Sequence, residues 1–282
     1  MKSLLLTGLL FILILPGCRK ETSILPLLQS VEKLIPMYAD SASVLLDSIQ
    51  APDELTDKDF AHWCMLCGKV TDEAATGLLP IYQWQRAQQW FTEHGTAEEQ
   101  AQIDLYLGRA YVEDGEYDKA MQIYADALQL AKEHQAYNVA GYICAYMADL
   151  YGFRDITSEC LKKREEACEF FKKAENYKSY AYSLKDLAGE WAILDSFACT
   201  IPLLQKADSI SQLLHNKNLT AAIANAFALI YEMQGKYNEA ETAYLKAIST
   251  RSEESYKDSI GLLKVYITVS YTHLTLPTIL RV

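Results

Sequence analysis

The sequence predicts an all-α solenoid of stacked antiparallel helix pairs, and three observations carry that reading. Small residues recur at a forty-residue interval at Gly108, Ala148, Ala188 and Ala228. Aromatic residues recur in the same phase at Tyr111, Tyr151, Trp191 and Tyr231, and large apolar ones at Leu107, Met147, Leu187 and Phe227. Composition does not produce three parallel tracks of four members, so the chain repeats a structural unit. The composition itself, 50% apolar with 19 tyrosines in 282 residues, excludes wholesale disorder.

The clearest unit runs from Ala101 to His134. Its periodicity predicts one helix over about 101–114 and a second over about 118–131, with Gly115 in the turn, where a missing Cβ permits a left-handed backbone. Gly108 and Ala120 are small enough for the two backbones to approach, while Leu107, Tyr111 and Tyr124 fill the space around that contact. With Gly115, Tyr117 and Ala127, these residues resemble the signature of a tetratricopeptide repeat. The resemblance implies a right-handed superhelical solenoid whose first helices line an inner groove.

Taken in order, residues 1–17 form a leader in which Lys2 precedes an apolar run, ending before Cys18 at a site that resembles a bacterial lipoprotein signal. That resemblance implies lipidation of Cys18 and an exported, membrane-anchored protein facing the periplasm or sitting at the outer membrane. Pro16 departs from the usual small residue two places before the cysteine. Arg19 and Lys20 suit anionic head groups beside such an anchor. Residues 18–56 read as an N-terminal hairpin: a first helix started or bent near Pro26, a second capped by Asp40 or Ser41, and Pro52 as its stop. The hairpin resembles the opening of exported Bacteroidetes tetratricopeptide proteins.

Residues 57–100 read as a degenerate repeat. Its helices are predicted over Asp57–Val70, with Gly68 at the small position, and over Ile81–His94, where Trp84, Ala87 and Phe91 make an apolar face widened by Trp90. Thr96 followed by Glu99 reads as a capping box for the next helix. Repeats then occupy 101–255. Their second helices place Ala127, Ala207 and Ala247 in one phase, and the fourth unit adds Ala240 and Tyr244. In the second unit Ala174 is taken as the counterpart, which implies about seven extra residues inside that hairpin, either a recognition feature or a tolerated surface insertion. In the third, Pro202 is harmless if the helix starts there and kinks it if the helix starts near Phe197.

An incomplete fifth unit is expected over 256–268. Residues 269–282 break the helical period, and VSYTHLTLPT resembles a translated sequencing adapter, so the natural chain is expected to have been cut near residue 268.

Chemistry-bearing clusters are sparse. The five histidines are scattered, there is no phosphate loop or dinucleotide fingerprint, and Cys64 and Cys67 with His62 lack the second ligand pair of a zinc site. No catalytic site, metal or cofactor is therefore expected. The formal charge of −11 argues against a nucleic-acid groove in the region present and favours a basic peptide or a polyamine over an acidic ligand.

A binding role is the expectation, with an unidentified envelope protein or peptide as partner and the membrane reached through the lipid. The family's second, fifth, ninth and twelfth repeat positions face the groove. On this sequence they include Gln102, Leu105, Arg109, Tyr142, Ala145, Asp149, Tyr182, Lys185, Asn225 and Glu232, with Tyr106 and Tyr146 beside them. The basic, asparagine-rich clamp that some such domains use for C-terminal peptides is absent, since the fifth positions read Leu105, Ala145, Lys185 and Asn225. The alternative is the periplasmic sensory part of a longer transcriptional regulator or histidine kinase.

Overall fold

The computed structural model describes residues 24–74 and 76–250. Cys18 with its leader, the start of a fifth unit and the 269–282 tail lie outside the described residues.

Twelve α-helices run in order among the described residues. The opening hairpin is α1 (Leu25–Leu34) and α2 (Ala39–Asp47), followed by a 3-10 turn at Pro52–Glu54. Pro26 stands in the first turn of α1, where its missing N–H is no loss. The α2 cap differs from expectation. The helix begins three residues earlier than a Ser41 cap would require and two earlier than an Asp40 cap would, Tyr38 is the N-cap and makes no side-chain cap bond, and Asp40 sits in the first turn, near the positive end of the dipole.

The forty-residue period resolves into a twenty-residue one. Helices α5 (Ala97–Glu113), α6 (Tyr117–Glu133), α7 (Tyr137–Phe153), α8 (Thr157–Lys173), α9 (Tyr177–Ile193), α10 (Phe197–Leu213) and α11 (Lys217–Met233) each have 17 residues, and α12 spans Tyr237–Thr250. Every turn between them holds one left-handed residue: Gly115, Gln135, Asp155, Glu175, Asp195, His215 and Gly235. The next residue's N–H reaches back to the last turn of the helix, as from Glu116 to the Tyr111 carbonyl (2.8 Å), Ile156 to Tyr151 (2.9 Å), Ser196 to Trp191 (2.9 Å) and Lys236 to Tyr231 (2.8 Å). These are Schellman closures, which satisfy carbonyls that a helix end would leave orphaned. Tyr111, Tyr151, Trp191 and Tyr231 thus hold equivalent places, each half-buried at the end of a first helix. The Thr96–Glu99 capping box is present, and two and three forty-residue steps beyond Thr96, Asn176 and Asn216 cap α9 and α11 with side-chain oxygens.

The insertion expected in the second unit is absent. Helix α8 has the common length and its phase residue is Ala167, fully buried like Ala127, Ala207 and Ala247. Cys160 and Arg164 occupy places filled by Ala120 and Tyr124 one unit earlier, and that disguised the register. The unit of α3 (Asp57–Ala74) and α4 (Ile81–His94) keeps the same step, with Gly68 forty residues before Gly108 and the buried Trp84 forty before Tyr124. Helix α10 starts at Phe197, so Pro202 lies inside it, on an exposed face, and supplies no N–H to the Ala198 carbonyl.

Successive hairpins pack on one another, and first helices also touch first helices, α3 to α5, α5 to α7 and α9 to α11. The core tracks are buried at Leu107, Gly108, Ala120, Tyr124, Ala127, Met147, Ala148, Leu187, Ala188, Ala207, Ala228, Ala240, Tyr244 and Ala247. Phe227 is only half-buried, in the last described hairpin. No described helix is long and apolar enough to cross a membrane.

Candidate functional site

The first helices bring a polar and aromatic cleft of about 320 Å³ to one face of the stack. Helix α7 supplies Tyr142, Ala145, Tyr146 and Asp149, and α9 supplies Lys178, Ser179, Tyr182 and Asp186. The end of α3 adds Asp72 and Glu73, and α8 contributes Arg164 from below. Spacing explains the convergence: residues three and four apart share a helical face. Two cavities continue it. One of about 240 Å³ shares Tyr146 and Asp149 and reaches Arg109 and Tyr124. The other, of about 320 Å³, shares Arg164 and Asp186 and reaches Lys185.

Charges in the cleft are paired, and Asp72 and Arg164 are largely withdrawn from solvent. Asp72 accepts from the Tyr106 hydroxyl (2.8 Å) and pairs with Arg109, whose guanidinium lies 4.8 Å from the Tyr146 ring centroid. Burial pushes the Asp72 carboxyl above its ordinary range, against the pull of Arg109 and Tyr106. Asp149 is raised by burial in the same way, although Arg164 donates to it at 2.6 Å. Arg164 also approaches Glu190 at 3.5 Å. Burial works against the Arg164 charge, but Asp149 and Asp186 outweigh it and its pKa moves upward. Lys178 reaches across the face to Glu73 (2.7 Å), joining α9 to α3 over 105 residues of chain. Tyr142 and Ser179 share a hydrogen bond of 2.8 Å between α7 and α9.

The groove residues expected from sequence divide into three groups. Tyr142, Ala145, Tyr146, Asp149 and Tyr182 line the main cleft, while Arg109 and Lys185 line its two extensions. Leu105 and Tyr106 are buried, so their side chains belong to the core, and Gln102 donates to the Tyr106 hydroxyl at 3.0 Å. Asn225 and Glu232 lie on α11 away from these cavities, and Glu232 accepts from Tyr244 (2.9 Å).

Several cleft residues escaped the sequence reading. Asp72 stands forty residues before Val112, a groove position that becomes visible once the α3–α4 unit is placed in register through Gly68 and Gly108. Arg164 was hidden by the supposed insertion, since its track reads Trp84, Tyr124, Arg164, Leu204 and Tyr244. Lys178 and Glu73 carry no sequence signal, because only the curvature of the stack brings them together.

Cys64 is fully buried and donates weakly to the Gln83 carbonyl at 3.8 Å, and burial raises the Cys64 and Cys67 thiols well above their usual value. His62 bonds the Lys58 carbonyl at 2.7 Å and packs edge-on against Trp90. These cysteines are free thiols in a packed helix, as are the buried Cys144, Cys160 and Cys168, while the free Cys199 is exposed. Among the described residues there is no group of three or more potential metal ligands.

Residues 107–135 and 220–254 each match the tetratricopeptide repeat family. No curated protein matches the chain in sequence. Solved structures similar in fold include BtubC (BKLC) from P. vanneervenii, 16% identical with a TM-score of 0.56, covering 82% of this chain and 92% of that one. A Rap protein complexed with Competence and Sporulation Factor is 15% identical with a TM-score of 0.62, covering 92% and 73%. Aspartyl phosphate phosphatase F from Bacillus subtilis is 14% identical with a TM-score of 0.58, covering 94% and 73%. At these identities the likeness concerns the fold alone. The described parts of both matched stretches lie in hairpins of one forty-residue stack, so the chain carries units similar to tetratricopeptide repeats at 107–135 and 220–254.

Proposed function

We propose that the chain is a non-catalytic scaffold that holds an extended peptide in the cleft between α7 and α9, tethered to a bacterial envelope through a lipid on Cys18. The observation that carries the peptide reading is the cleft itself, in which Tyr142, Tyr146 and Tyr182 alternate with charged groups along consecutive first helices. Tyrosine offers rigid contact area with a polar tip, which suits recognition of a backbone and its side chains together. The solved Rap complex lends support, since a protein of this fold there holds a second molecule. The lipid tether rests on the leader and Cys18 in the sequence alone.

Selection of a displayed random-peptide library against the full chain tests the binding role. Binders should emerge, and Tyr182→Ala should weaken them at least about tenfold, the scale of a truncated aromatic contact. Selection that yields no binder, or binders indifferent to Tyr182→Ala and Tyr142→Ala, rejects the cleft as the site. Cys18→Ser should move the protein from the membrane to the soluble fraction of expressing cells; unchanged partition rejects the tether.

A further inference from the structure

Tyr124 is fully buried, and its hydroxyl has no hydrogen-bond partner among the described residues. Such groups are uncommon, because burying a hydroxyl without a partner is costly. Tyr124 lines the 240 Å³ cavity that opens from the main cleft through the shared Tyr146 and Asp149. Among the described residues the cavity is lined by two carboxylates, Glu113 and Asp149, against a single cation, Arg109. That cation is already committed to Asp72 and lies over the Tyr146 ring. Arg164 meets Asp149 through Oδ1 only. Val112, Leu150 and the largely exposed Phe153 supply an apolar wall leading in from solvent.

We infer that this cavity takes a primary ammonium on an aliphatic stem, the side chain of a lysine presented by the peptide held in the cleft. The stem lies along Val112, Leu150 and Phe153. The ammonium donates to the Tyr124 oxygen and is balanced by Asp149 and Glu113. It brings only donors, which the Tyr124 oxygen and the carboxylates of Asp149 and Glu113 can accept. A carboxylate ligand meets two like charges and finds Arg109 occupied. The inference rests on the peptide-binding reading and adds the chemistry of one anchoring side chain.

The test uses the full chain and fluorescence anisotropy on peptides recovered from the library, together with spermidine as a free-amine probe. Recovered peptides should share a lysine, and its acetylation should weaken binding about tenfold or more, the effect of losing a charged hydrogen bond. Tyr124→Phe should weaken them about tenfold while leaving the melting temperature unchanged or higher, because the hydroxyl it removes has no partner in the free protein. Glu113→Gln, on an exposed residue, should weaken binding severalfold in low salt. Peptides that bind in a Tyr182-dependent manner without a lysine, or with affinity untouched by acetylation and by Tyr124→Phe, overturn the inference and leave the peptide-binding role standing. Tyr124-dependent binding of spermidine with no lysine peptide recovered overturns the peptide as the source of the ammonium.

Discussion

Gly108 shows how one residue sets a hairpin. A Cβ there would overlap the ring of Tyr124, so the missing side chain lets α5 and α6 approach and fixes where that ring stands. Gly108→Ala should therefore destabilise the protein by about 1–3 kcal/mol despite the better helix propensity of alanine, read as a lower urea midpoint with an unchanged slope. Asp104 gives a pH signature. Burial raises its carboxyl to about 6, with Gln88 donating to it at 2.7 Å and opposing the rise. Unfolded, it titrates near the ordinary carboxylate value of about 4. Between these values the folded state holds a proton that the unfolded state has lost, so the contribution of Asp104 to stability is greatest below about pH 4 and is lost as pH rises through 6. Asp104→Asn should abolish that part of the pH dependence and raise the melting temperature at pH 7 more than at pH 4. An equal change at both pH values would contradict the shift.

At the scale of elements, seven turns repeat one closure, yet only Gly115 and Gly235 carry the residue that a left-handed backbone prefers. Glutamate at 175 holds φ of 55° at a steric cost that glycine avoids. Glu175→Gly should stabilise the α8–α9 junction by about 0.5–1 kcal/mol once the added freedom of the unfolded chain is set against the relief. Pro202→Ala should stabilise α10 by about 1–3 kcal/mol by restoring the bond to Ala198. Calorimetry on the two variants checks both. The hairpins were legible in the sequence because small and aromatic residues mark their close contacts. The α8 register was not, because Cys160 and Arg164 do the same packing with residue types outside the signature, and an alanine seven places further on offered a false match. The α2 start was missed because helices here begin without side-chain caps at several ends, including those at Tyr38, Glu116 and Ile156.

For the whole molecule, period and curvature decide what the site contains. Sequence placed Tyr142, Tyr146, Asp149 and Tyr182 on a common face because that follows from the helical repeat. It gave no sign of the Lys178–Glu73 pair, which depends on how far the stack bends between α3 and α9. Exposed ion pairs of this kind contribute little to stability, so Glu73→Gln should change it by less than about 1 kcal/mol. In the proposed scaffold first helices form the binding face and second helices the outer one. Hydrogen–deuterium exchange of the full chain with and without a library-selected peptide tests this most directly. Added protection should concentrate in α7 and α9 and in the end of α3, with α10 unchanged. Protection confined to α6, α8 and α10, with α7 and α9 unaffected, would contradict it.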